Sequence, residues 1–161
     1  MSSNEMQQLA HLMRRAGFGA TQQELEGYAA IGYEASVEKL LDTANPTAIS
    51  EYLIRRYHPD ESSLLGGLSG ADAWLYRMVT TDTPLLEKMA LFWHGIFATG
   101  YPKVLNAKPL SDQIRMFKRY AMGDLKTLLI QMAKDPAMII WLDNQQNHKG
   151  CLLYTSPSPR D

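Results

Sequence analysis

The sequence contains a single cysteine, Cys151, which excludes an internal disulfide and any metal site built from several cysteines. Neither sign of charge is in excess, because 16 Lys and Arg residues oppose 17 Asp and Glu residues for a net charge of −1. That balance provides no basic surface for nucleic acid or for an anionic membrane, so no nucleic-acid partner is expected. No apolar run approaches the roughly 18–20 residues that cross a bilayer, so no transmembrane segment is expected.

Signals for export and for the common catalytic motifs are also missing. The N-terminus, MSSNEMQQLAHLMRR, lacks a basic region followed by an apolar one, so it does not resemble a secretory signal, and the chain as it stands is predicted to be cytoplasmic. There is no His-Glu-x-x-His pair, no glycine-rich phosphate loop and no Gly-x-Ser-x-Gly elbow. No cofactor or metal is therefore indicated by motif.

Helical periodicity dominates what is present. Hydrophobic residues make up 45% of the chain, enough for a packed core, and clean strand alternation is absent. We predict an all-α fold, a multi-helix array of about seven to eight helices, within one domain over residues 1–150 that is incomplete. The predicted helices run to about Ala16, from the Thr21–Glu24 capping box to Ile31, and over 33–41, 46–56, 71–81, 84–99, 110–121, 125–132 and 136–142, with loops at 58–70 and 101–108. Thr83, Asp124 and Asp135 are the predicted N-caps of the helices that follow them.

The helix predicted over 84–99 is apolar on nearly every side, which is typical of a central, buried helix. It nevertheless carries Glu87 and His94, which lie on one face about 10 Å apart along the axis and could flank a third group. A buried carboxylate needs a partner, and Arg14 or Arg15 next to the apolar stripe of the first helix is the predicted one.

Two interpretations of these residues stay open. In the first they form a structural network, with Glu87 paired to an arginine and His94 bonded to a backbone carbonyl. In the second, His94, Glu87 and Arg14 are catalytic residues, with His94 as an acid–base group or ligand at the floor of a pocket.

A second polar cluster follows the last predicted helix. It contains Asp143, Asn144 and Asn147, which are either the ordinary polar end of a helix or binding residues of a site. His11 is predicted to be a solvated or interface residue, and neither His58 nor His148 has a neighbour at metal-ligand spacing.

Three separated blocks carry a family resemblance: HLMRRAGFGAT at 11–21, EKMALFWHGIFAT at 87–99 and DPAMIIWLDNQQNHKG at 135–150. In order and spacing they resemble the bacterial family called domain of unknown function 1800. The resemblance implies a mainly helical protein, often longer than this chain, often exported and often encoded beside an exported sulfatase-like protein. It brings no established activity.

The chain departs from the family pattern at two places. Where similar proteins have Phe-Trp-His-x-His-Phe, this chain keeps His94 but has Ile96 at the second histidine, so a metal site made by that pair would have lost a ligand. Similar proteins also continue after Asp143 and Asn144 into a helix rich in Asn, Glu and Arg. Residues 151–161, CLLYTSPSPRD, instead resemble a translation of the transposase adapter used in short-read DNA libraries, so we expect a non-native tail there.

Two function classes remain after the sequence is considered. One is a hydrolase-type enzyme of the cell envelope that uses His94, Glu87 and Arg14. The other is a non-catalytic helical scaffold that has the exported sulfatase-like protein as its partner.

Overall fold

The computed structural model describes residues 3–44 and 69–147, and within these ranges every regular element is a helix. The all-α prediction is confirmed. The predicted helix at 46–56, most of the predicted 58–70 loop and residues 148–161 lie outside the described residues. Numbered in chain order, the helices are α1 (Ser3–Ala16), α2 (Gln22–Ile31), α3 (Tyr33–Leu41), α4 (Ser69–Thr80), α5 (Pro84–Ile96), α6 (Tyr101–Val104), α7 (Ala107–Tyr120), α8 (Leu125–Lys134), α9 (Pro136–Trp141) and a 3₁₀ turn at Asn144–Gln146.

Local signals set most of the helix ends. Thr21 and Glu24 form the predicted capping box, in which each side chain accepts from the other residue's backbone N–H. Gly32 ends α2 with a φ of 88°, a conformation that glycine adopts without strain. The carboxylates of Asp124 and Asp135 accept from the backbone at the starts of α8 and α9, as predicted.

One local prediction is wrong, and a second is confirmed in position only. Residues 101–108 are not a loop, because Tyr101–Val104 form the short helix α6 with Pro102 in its first turn. Leu105, in the left-handed region at a φ of 53°, ends this helix before α7 begins. Thr83 occupies the position before α5 but its side chain makes no capping bond. Its hydroxyl hydrogen-bonds the hydroxyl of Thr81 instead.

The apolar residues form two clusters, and α5 contacts helices of both. Leu9, Met13, Leu25 and Leu40 pack α1, α2 and α3 together. The second cluster joins α4, α5, α7 and α8 through Trp74, Ala90, Phe117, Leu128 and Met132. At their junction a Cβ on Gly17 would lie 3.0 Å from Cβ of Pro84, so the glycine allows the turn after α1 to approach the start of α5.

Candidate functional site

Glu87 is almost completely buried, at 2% exposure, on the inner side of α5. Its Oε2 accepts a hydrogen bond from the indole Nε1 of Trp74 on α4 at 3.0 Å. Its Oε1 forms an ion pair with Nζ of Lys118 on α7. Each carboxylate oxygen therefore has a partner, and the negative charge is compensated from two neighbouring helices.

His94 follows Glu87 by about two helical turns on the same side of α5 and is half-buried. Its ring meets Trp74 edge-on, with centroids 5.4 Å apart, and meets Phe117 in a similar way at 6.2 Å. Trp74 thus lies between the two residues, contacting Glu87 through its N–H and His94 through its ring. Burial lowers the pKa of His94, which favours the neutral imidazole.

The predicted ion pair between Glu87 and Arg14 or Arg15 is wrong, because Lys118 occupies that place. Met13 is buried, whereas Arg14 and Arg15 are both exposed, so α1 turns its methionine inward and both arginines toward solvent. The three residues proposed as catalytic are consequently not one cluster. Glu87 and His94 share Trp74, and Arg14 is on the surface of α1.

The sequence contains a weak signal for the true partner. Lys118 directly follows Phe117, a fully buried member of the core cluster, so its stem leaves α7 close to the core. A lysine can bury that stem and place its ammonium on an internal carboxylate. The hydrogen bond from Trp74 to Glu87 could not be inferred from the sequence, because helical periodicity shows which face a residue occupies and not where its N–H is directed.

A second buried polar network, centred on Gln113, was not predicted from the sequence. Gln113 on α7 has no exposed surface, and its Oε1 accepts from Oγ1 of Thr99 at 2.6 Å. Its Nε2 donates to Oδ2 of Asp135 at 2.7 Å, and the same oxygen accepts from the backbone N–H of Met138 at 2.7 Å. Burial raises the pKa of Asp135, while the bonds from Met138 and Gln113 act in the opposite direction. This hydrogen-bonded network connects the residues before α6, the middle of α7 and the start of α9.

The proposed binding residues lie on the surface at the end of α9. Asp143 has a φ of 57°, and its Oδ2 accepts from Nζ of Lys103 at 2.6 Å, while the same ammonium donates to the carbonyl of Trp141 at 2.6 Å. Asn147 Nδ2 donates to Asn144 Oδ1 at 3.1 Å. These bonds explain the polar cluster as a helix end attached to α6, and the binding role stays a prediction.

The geometry of α5 also bears on Ile96, which replaces the second histidine of the family pattern. Residues two apart on a helix point about 200° from each other, so side chains at 94 and 96 lie on nearly opposite sides. Accordingly His94 is half-buried against Trp74, whereas Ile96 is exposed. A histidine at 96 could not join His94 around one metal ion on this helix, so the substitution removes no shared ligand.

Within residues 3–44 and 69–147, no three His, Cys, Asp or Glu side chains come together as metal ligands. In the same ranges every buried side-chain nitrogen or oxygen has a hydrogen-bond partner. No helix of the described part is long and apolar enough to cross a membrane.

Within its described residues the chain is an all-α protein in which one helix contacts both apolar clusters and carries a buried carboxylate with a partner on each oxygen. The chain belongs to the family described as Protein of unknown function (DUF1800), whose model matches residues 11–151. That match confirms the family to which the three sequence blocks pointed. No curated protein and no solved structure matches the chain.

Proposed function

We propose that the chain is a non-catalytic helical scaffold that binds another protein through the outer face of α5, defined here as Leu91, Phe92 and Ile96. The observation that carries this proposal is the exposure of that face. Phe92 and Ile96 are each 53% exposed and Leu91 is 38% exposed, although α5 is apolar nearly all round.

The three residues of the outer face lie on one side of α5, a side that also carries Lys88. At 100° per residue, positions 91, 92 and 96 fall within an arc of about 140°. The opposite side of the helix contains Leu86, Glu87 and Ala90, all buried. In the described part of the chain, therefore, only one side of α5 is covered.

A helix that is apolar all round is normally covered all round, since uncovered apolar surface is costly in water. The inner side of α5 is occupied by partnered groups, with Glu87 held by Trp74 and Lys118. The buried carboxylate of α5 thus has a structural explanation, whereas the exposed apolar residues of the helix lack one. This asymmetry supports a binding surface more directly than it supports a catalytic centre.

The partner that we propose is the exported sulfatase-like protein that the family resemblance associates with such chains. The test is to titrate that protein against this chain at about micromolar concentration and measure heat of binding. Ile96→Asp places a charge in the outer face without touching the core, and it should weaken association at least about tenfold.

Leu129→Asp is the matched control, because Leu129 is also an exposed leucine-sized residue but lies on α8. Association that is absent, or that Ile96→Asp and Leu129→Asp reduce equally, would contradict the proposal. Self-association through the same face, detected as a concentration-dependent dimer that Ile96→Asp abolishes, would replace the named partner with a second copy.

A hydrolase-type enzyme is the second candidate, and one observation favours it. His94 is half-buried beside Trp74 with a lowered pKa, which is the environment of a neutral imidazole that can accept a proton. Glu87 lies on the same tryptophan, while Arg14 would have to act from the surface.

The enzyme candidate is tested with aryl esters, aryl phosphates and aryl sulfates as chromogenic substrates. If the chain is such an enzyme, His94→Gln should abolish turnover while the melting temperature is retained. His11→Gln, at an exposed histidine, is the matched control. Turnover that His94→Gln leaves intact would reject the assignment of His94, and loss of folding in the variant would assign it to the core.

A further inference from the structure

We draw no further inference here: the strongest candidate, the exposed aliphatic side of α8 at Leu125, Leu129 and Ile130, is an apolar face with nothing among the described residues to show what covers it.

Discussion

Glu87 on α5 and Lys118 on α7 form an ion pair in which the carboxylate side chain is 2% exposed and the lysine side chain is 20% exposed. The second carboxylate oxygen accepts from the indole of Trp74. A pair removed from water in this way contributes little net stability, because desolvation offsets the attraction between the charges. Removing only one partner has a larger effect on stability, because the remaining charge is then buried without its counterion.

Lys118→Met should therefore destabilise the protein by about 2–4 kcal/mol, because it leaves the Glu87 carboxylate buried with only Trp74 as a partner. The double variant Glu87→Gln with Lys118→Met removes both charges and should recover most of that loss. Urea unfolding of the wild type, both single variants and the double variant gives the coupling energy. Additive losses would mean that the two side chains do not stabilise each other.

The contrast between Glu87 and Arg14 indicates how far sequence reasoning reaches. Burial of Glu87 followed from its place on an apolar helix, because periodicity reports the face that a residue occupies. The identity of its partner depends on which helix packs against that face. That choice is made by tertiary packing of α7, which the position of Lys118 beside Phe117 indicates only weakly.

The same distinction between local pattern and tertiary packing applies to the fold and to the polar network of Gln113. Caps such as Thr21 and Asp135 are local, so they were predictable from a few neighbouring residues. Which residues of α5 are uncovered is visible only in the structure, because composition shows that a helix is apolar and not which side its neighbours cover. The bonds of Gln113 to Thr99 and Asp135 join residues distant in sequence, and no periodicity marks them.

The pH dependence of stability should report the environment of His94. Burial holds its pKa below the ordinary value of 6.5, so the unfolded chain binds a proton more readily than the folded one. The stabilising contribution is fully present above pH 6.5 and is lost as the pH falls through 6.5 toward the folded-state value. His94→Phe, which keeps an aromatic ring but cannot titrate, should show a smaller loss of stability on acidification.

Free energies of unfolding at pH 7.5 and pH 5.5, about one unit on each side of the ordinary histidine value, test this prediction. His11→Gln serves as the histidine control, because His11 is exposed on α1. If His94→Phe retained the whole acid-dependent loss, the loss would have to originate at other groups.

Gly17 should be intolerant of even one added methyl group. A Cβ at this position would lie 3.0 Å from Cβ of Pro84 and 3.2 Å from the carbonyl oxygen of Met13. Gly17→Ala is expected to cost about 1–3 kcal/mol by forcing the turn after α1 away from α5. Gly95→Ala, on a helix with open space around it, should instead stabilise by up to about 1 kcal/mol.

Thermal and urea unfolding of the two glycine variants would show whether that contact matters. A Gly17→Ala protein as stable as the wild type would mean that the α1 turn and the start of α5 separate without cost. Because the same junction joins the two apolar clusters, the measurement also reports how strongly they are coupled.

Gln113→Leu should be among the most destabilising changes that preserve side-chain size. It leaves the hydroxyl of Thr99 without its acceptor and removes the amide donor from Asp135, at an expected cost of about 2–4 kcal/mol. The penalty should also depend on pH. Burial raises the pKa of Asp135 above its ordinary value of 3.8, and loss of the Gln113 bond raises it further, so the penalty should shrink as the pH falls and Asp135 takes up a proton.

Thr99→Val separates the effects of the two hydrogen bonds of Gln113, because it removes only the hydroxyl and leaves Asp135 bonded to Gln113. It should cost about 1 kcal/mol with no added pH dependence. Urea unfolding at neutral and acidic pH measures how much unfolding free energy each variant loses relative to the wild type at each pH. A Gln113→Leu penalty that stays constant with pH would mean that Asp135 does not rely on this amide to remain ionised, and the cost would then arise at Thr99 and from packing alone.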